Sequence, residues 1–149
     1  MPTLFVYDET KDIVAFFALS FDSLEFDQDD IDDLFSGVST GDVPDVDEAY
    51  IEDFKTKLHH PALEITFLAV RNSKNNNKQR KGIGRFIVDS IIQLAMEQKI
   101  AGCEFVTVEA YRSSNYSAVG FYDKCHFGVC ELSDPTKNTL RMYRFLYIR

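Results

Sequence analysis

The stretch Gln79-Arg80-Lys81-Gly82-Ile83-Gly84 runs into a pattern in which Ile83, Ile87, Ile91, Leu94 and Ala95 recur three or four residues apart. Such spacing draws one buried stripe along an amphipathic helix, predicted from about Gly82 to Gln98, with Gly102 as the stop. The first turn of a helix carries backbone N–H groups without intrahelical partners, and the macrodipole adds positive potential there. Gly82 and Gly84 let an anion approach that turn without a Cβ in the way, and Arg80, Lys81 and Arg85 surround it with positive charge. Together these features favour a pyrophosphate. The pair of glycines also reads as an adaptation to tight helix–strand packing. Two common phosphate motifs are excluded. No glycine stands five residues before Gly82 or Gly84, as a P-loop needs, and Ile87 occupies the third glycine of a dinucleotide fingerprint.

Outward from this point, Leu63-Glu64-Ile65-Thr66-Phe67-Leu68-Ala69-Val70 has strand composition, with Pro61 just before it as a breaker. Leu4-Phe5-Val6-Tyr7 and Ile13-Val14-Ala15-Phe16-Phe17-Ala18-Leu19 read as a β-hairpin around a short polar turn. Beyond the helix, Phe105-Val106-Thr107-Val108 reads as a strand, 117–124 as a shorter helix, and about 127–132 and 140–148 as two last strands. An acidic region at about 22–58 interrupts the series. Ile31, Leu34 and Phe35 form one helical stripe there, and Tyr50, Phe54 and Leu58 another. The order β-β-(insert)-β-α-β-α-β-β implies one α/β domain over 1–149 with a mixed sheet.

Composition limits the function classes. With 149 residues, 45% of them hydrophobic and 27% charged, the chain is long enough to bury a core without disulfides or metals. No window approaches the roughly 20 apolar residues of a membrane span, and the start MPTLFVYDETKD reaches acids too early for a signal peptide. Three cysteines without paired spacing suit a reducing compartment, so the expected location is cytoplasmic. The net charge of −8 conceals an asymmetry: every charged residue from Asp22 to Asp53 is acidic, and every one from Arg71 to Arg85 is basic. An acidic sum counts against general nucleic-acid binding, which draws its affinity from phosphate neutralisation. Nucleic acid is therefore not an expected partner.

A second motif lies downstream. Gln79-x-x-Gly82-x-Gly84 resembles motif A of the GNAT superfamily of N-acetyltransferases, written Q/R-x-x-G-x-G/A. Asn115-x-x-Ala118-x-x-Phe121-Tyr122-x-Lys124-x-x-Phe127 is similar to that family's N-x-x-A-x-x-L/F-Y-x-K-x-G-F segment at the same spacing. The resemblance implies a GNAT-like acyl-CoA N-acyltransferase fold with splayed parallel central strands and acetyl-CoA as co-substrate. It puts the pyrophosphate on Gln79, Arg80, Lys81, Gly82, Ile83, Gly84 and Arg85, and the pantetheine arm on the free edge of Leu68, Ala69 and Val70. Asn115 would hydrogen-bond the arm or begin the following helix, and Tyr122 would protonate the departing thiolate. Two departures stand out. His126 occupies a position where the family usually has glycine, in a turn that suits φ > 0. The chain also opens at the family's second strand, without the strand and two helices that commonly wall the acceptor pocket; the acidic insert, a partner chain or a longer protein would supply that wall.

Direct attack requires a neutral amine, so a base or water relay is needed. Glu64 on the first splayed strand and Glu109 on the second are candidates, and each also reads as an ordinary edge carboxylate. His59 and His60 read as a loop pair with no metal-ligand spacing, and no metal is expected. By residue type, His59, His60 and His126 are further candidates for the base. Cys103, Cys125 and Cys130 read as buried apolar residues, since direct transfer needs no covalent enzyme intermediate. The resemblance thus implies transfer of acetyl to a primary amine, with the acidic insert pointing to a cationic acceptor. A toxin-like GNAT that acetylates aminoacyl-tRNA and a non-catalytic acetyl-CoA-binding module are the alternatives, and a homodimer is possible.

Overall fold

The structure, a computed structural model, describes residues 3–40, 47–71, 82–97, 102–130, 134 and 136–146, with only the backbone for 37–40. Ten elements follow in order: β1 (Thr3–Tyr7), β2 (Ile13–Leu24), α1 (Gln28–Thr40), α2 (Glu48–Thr56), β3 (His60–Val70), α3 (Ile83–Glu97), β4 (Phe105–Tyr111), α4 (Val119–Lys124), β5 (Gly128–Val129) and β6 (Thr139–Phe145). The strands form one mixed sheet in the order β1-β2-β3-β4-β6-β5.

The β1–β2 hairpin is closed by Asp8, whose Oδ1 accepts from the backbone N–H of Thr10 (2.9 Å) and of Asp12 (3.0 Å). Short aspartate side chains favour such turns because they mimic a backbone acceptor. Alternation along β4 then sorts the molecule into two layers. Val106, Val108 and Ala110 join Ile87, Val88, Ile91 and Ala95 of α3 in the main core. Phe105 faces the other way, into a second core with Leu24, Ile31, Phe54, Ala62 and Phe145. Helices α1 and α2 thus cover the lower part of the sheet face opposite α3. Part of the acidic run belongs to this architecture. Asp27 accepts from the Asp30 N–H at 2.8 Å and Asp47 from the Ala49 N–H at 3.0 Å, each at a helix start.

Four sequence expectations need correction. Leu58 lies outside α2 and is exposed, because the helix ends at Thr56 and turns away at Lys57. Pro61 lies inside β3, paired with Ser23. Its carbonyl accepts from the Glu104 N–H (2.8 Å), so the missing N–H points past the start of β4 and breaks no ladder. His60 is not a loop residue. It opens β3 fully buried, stacked on Phe54 with 3.8 Å between centroids and bonded through Nδ1 to Glu104 Oε2 at 3.0 Å. The last strands are shorter than expected, spanning only Gly128–Val129 and Thr139–Phe145.

Phe54→Ala is expected to cost about 3–5 kcal/mol, the usual range for truncating a buried aromatic, whereas Leu58→Ala changes stability by less than about 0.5 kcal/mol. Urea denaturation of both variants checks the pair; a large loss at Leu58 would contradict the placement of α2.

Candidate active site

Strands β3 and β4 are parallel neighbours only over Ala62–Phe105, Leu63–Val106, Glu64–Thr107 and Ile65–Val108. Beyond that rung β3 stays with β2 and β4 stays with β6. The departure coincides with an extra residue. Leu19 pairs with Ile65 and Ala18 with Phe67, so Thr66 is bulged out, its Oγ1 lying 3.0 Å from Ser20 Oγ. A bulge bends its strand and increases the local twist, which turns the end of β3 away from β4. Leu68, Ala69 and Val70 thereby keep β2 on one edge and, among the described residues, have no strand on the other.

A cavity of about 460 Å³ fills the opening. Leu68, Ala69 and Val70 form one wall and Ala118, Phe121 and Tyr122 the other, with Gly84 and Tyr116 at the margins. Tyr122 is 5% exposed and rests edge-on against Phe121 and Phe127. Burial pushes its phenol above the ordinary tyrosine value, so it holds its proton throughout the neutral range. Neighbouring residues on a helix point about 100° apart, so Phe121 and Tyr122 do not share one direction. Both line the cavity, because Phe121 lies over Gly84 while Tyr122 points into the core.

The glycines divide the two explanations the sequence allowed. Gly82 has φ +92° and open space around its absent Cβ, so its conformation demands glycine and leaves room for a ligand. A Cβ on Gly84 would lie 3.1 and 3.2 Å from the Phe121 ring, so packing explains this second glycine. Ile83 opens α3, whose first i→i−4 bond runs from the Phe86 N–H to the Gly82 carbonyl at 2.9 Å. The N–H groups of Ile83, Gly84 and Arg85 precede that bond and point out of the helix start. Gln79, Arg80 and Lys81 lie outside the described residues. A second cavity, about 650 Å³, lies between the hairpin turn and α3, but Asp8 and Glu9 in its lining make it a poor seat for an anion.

Several expected site residues are placed differently. Arg85 does not stand over the helix start: its Nη1 donates to the Lys124 carbonyl at 2.9 Å, where the exposed carbonyls ending α4 attract a cation. Asn115 does not begin α4, which starts at Val119 behind Ala118; it is exposed in the preceding loop. His126 has φ +67°, the left-handed turn expected where the family has glycine. Cys103, Cys125 and Cys130 are buried, and burial raises the thiols of Cys103 and Cys125. Tyr116, which the sequence did not single out, lines the cavity and stacks on Tyr111; no periodic pattern marks an aromatic in a loop.

The candidate bases lie on the α1–α2 face of the sheet. Glu64 Oε2 accepts from Ser20 Oγ at 3.2 Å, a neutral partner. Glu109 Oε2 accepts from Thr139 Oγ1 at 3.0 Å and its Oε1 from Arg141 Nη1 at 3.4 Å. Of the two, Glu109 is engaged by a guanidinium and Glu64 by a hydroxyl. Among the described residues no cluster of His, Cys, Asp or Glu suits a metal ion, and no helix is long and apolar enough to cross a membrane.

A family model described as the acetyltransferase (GNAT) family matches residues 2–127. No curated protein matches the chain. Solved structures of similar fold include a mutant of KacT, at TM-score 0.57 and 16% identity over 97% of this chain and 69% of that one. AtaTR bound with AcCoA aligns at TM-score 0.55 and 16% identity, over 93% and 65% of the two chains. AtaT complexed with acetyl-methionyl-tRNAfMet aligns at TM-score 0.53 and 16% identity, over 90% and 64%. The chain spans about two thirds of the length of these structures, and at such identities the likeness is one of fold.

Gly84→Ala is expected to destabilise the protein by about 1–2 kcal/mol, because the clash with Phe121 (overpacking costs about 1–3 kcal/mol) outweighs the helix-propensity gain of at most about 1 kcal/mol. Chemical unfolding measures the sign; a stabilised variant would contradict the packing.

Proposed function

The chain belongs to the acetyltransferase (GNAT) family, and we propose that it transfers the acetyl group of acetyl-CoA to a primary amine by direct attack on the thioester. The observation that carries this reading is the 460 Å³ cavity, with the unpaired edge of Leu68, Ala69 and Val70 on one side and Tyr122 on the other. That edge offers main-chain N–H and C=O groups to the peptide-like amides of a pantetheine arm, as a sheet edge does to an added strand. The start of α3, with open space at Gly82, suits the diphosphate.

In this reading 1–149 acts as one catalytic unit, and α1 with α2 forms part of the acceptor side. The neutral amine attacks the thioester carbonyl carbon, the C–S bond breaks, and Tyr122 gives its proton to the leaving sulfur. The surplus proton on the new amide nitrogen returns to the phenolate, directly or through water. Glu64, on the face away from Tyr122, takes the proton that the ammonium loses before attack, directly or through water. Holding donor and acceptor in one cleft supplies much of the acceleration by orientation. Arg85 and Asn115 contribute to cofactor binding only by rearranging on ligation, since Arg85 is engaged at the end of α4.

A second reading concerns the acceptor. AtaT has been solved with acetyl-methionyl-tRNAfMet, and this removes the ground for setting nucleic acid aside. An aminoacyl-tRNA supplies the same nucleophile, a primary amine. The exposed acids of α1 and α2 repel its phosphates and favour a small cationic amine instead. Thiol release from acetyl-CoA, read over polyamines, basic peptides and aminoacyl-tRNAs, distinguishes the two; tight acetyl-CoA binding with no turnover of any amine would leave a binding module.

Tyr122→Phe is expected to lower kcat about a hundredfold while leaving acetyl-CoA affinity within about twofold; undiminished turnover would remove Tyr122 from the mechanism. Because burial holds this phenol above about 10, kcat should show no falling limb from it between pH 7 and 10.

A further inference from the structure

The last rung at Ile65–Val108 divides the upper sheet into two halves, β1-β2-β3 and β4-β6-β5. On one face α3 lies across both halves. On the other face, α1 and α2 cover only the lower end, around Leu24, Ala62 and Phe105. Just above them a polar cluster crosses β3, from Asp22 at the level of the first β3–β4 rung to Arg141 and Glu109 one step beyond the last. Asp22 projects from β2 opposite Ala62, whose small side chain leaves the space over β3 open. Its Oδ2 accepts from Thr107 Oγ1 of β4 at 2.6 Å and from Arg141 Nη2 of β6 at 2.7 Å. Arg141 Nη2 also donates to the Ser23 carbonyl at 3.2 Å, and Nη1 to Glu109 of β4 at 3.4 Å.

We propose that Arg141 and Asp22 are positioning residues, a charged cross-tie spanning β3 that sets how far the two half-sheets open at the cleft. The geometry suits that task. Arg141 is anchored within its own half by Glu109, its direct cross-strand partner, and reaches the other half with one guanidinium nitrogen. The Asp22 and Arg141 side chains are 18% and 25% exposed, so water screens the pair little. Burial raises the Asp22 carboxyl, but the bonds from Thr107, the Ser23 N–H and Arg141 outweigh it and hold the group below its ordinary value. The tie therefore stays charged at neutral pH. A planar, forked donor fixes direction as well as distance, which a lysine ammonium does less well. Because Leu68–Val70 travel with β2 while Tyr122 follows β4 in the chain, the separation held by this tie is also the width of the cavity.

The structural part of this proposal stands alone; its catalytic consequence rests on the acetyltransferase reading, and the test separates them. Nitroxide labels at Phe16 on β2 and at Asn138 before β6, both exposed, report the distance between the half-sheets by electron–electron spin resonance in the unliganded full chain. Asp22→Asn, Arg141→Met and their combination are each expected to lengthen or broaden that distance, and Arg141→Lys to restore most of it. In acetyl transfer the single variants should raise the KM for acetyl-CoA about tenfold, and the double no further than Arg141→Met, which already removes the bond to Asp22 along with those to Ser23 and Glu109. Distances indistinguishable from those of the parent chain, or single effects that multiply in the double, would overturn the tie. Should Arg141→Met fail to fold, Asp22→Asn and Arg141→Lys read the same distance. Lengthened distances in the variants, together with a parent protein that binds no acetyl-CoA, would uphold the tie and reject the function.

Discussion

Parallel pairing between β3 and β4 ends after four rungs, at Ile65 and Val108, and the rest of the molecule is arranged around that ending. A sheet normally continues because unpaired backbone groups are costly to bury. Here the continuation is refused on one edge alone. Val70, Ala69 and Leu68 are paired to Ala15, Phe16 and Phe17, while Glu109, Ala110 and Tyr111 are paired to Arg141, Leu140 and Thr139. Each strand thus has half of its hydrogen-bonding capacity satisfied elsewhere, and their other edges face one another across a cleft. The chain after β4 begins to line that cleft where the Ala118 N–H bonds the Tyr111 carbonyl at 2.8 Å. The bulged Thr66 supplies the turn in direction, at the level where the rungs stop. A main-chain edge presented by a paired, immobile strand is pre-organised, and a ligand meeting it need not order it first.

Two cores stabilise this opening without closing it. On the α3 face, Ile87, Val88 and Ile91 pack under Val106 and Val108, joining both halves beneath the cleft. On the other face an aromatic cluster of Phe26, Phe54, Phe105 and Phe145 fixes α1 and α2 over the lower sheet, where β3 and β4 are still paired. Apolar packing stops there, and the polar cluster of Asp22, Thr107, Glu109 and Arg141 takes over. A greasy filling at that height would exclude a polar acceptor. The charged tie holds the same two halves while leaving their upper face wet.

Much of the scaffold was legible because it follows from composition and periodicity. The apolar runs Ile13 to Leu19 and Phe105 to Val108 mark strands by composition. Of the stripe read along α3, the structure buries Ile87, Ile91 and Ala95, packs Ile83 against them and leaves Leu94 exposed. The left-handed turn at His126 was legible from its position in the second motif. What escaped depended on contacts distant in sequence. Nothing local tells Arg85 that the end of α4 offers a carbonyl, or His60 that Glu104 and Phe54 enclose it. Leu58 fitted a helical stripe, yet the helix ended before it. Asp22 looked like the first member of an acidic run, and only the sheet register separates it from the solvated acids that follow. Gly84 shows the same limit: glycine spacing suggested ligand approach, whereas the Phe121 ring, 37 positions further on, accounts for it.

The account stands or falls on whether the vacant edge of β3 is where acetyl-CoA pairs. Residue-resolved amide exchange of the full chain, with and without acetyl-CoA, measures this directly. The prediction is that cleft-facing amides among Leu68, Ala69 and Val70 exchange markedly more slowly once the ligand is bound. Those amides face solvent without it, and pairing with the arm gives them acceptors. Binding that leaves their exchange unchanged, or that protects a different part of the molecule instead, would contradict it.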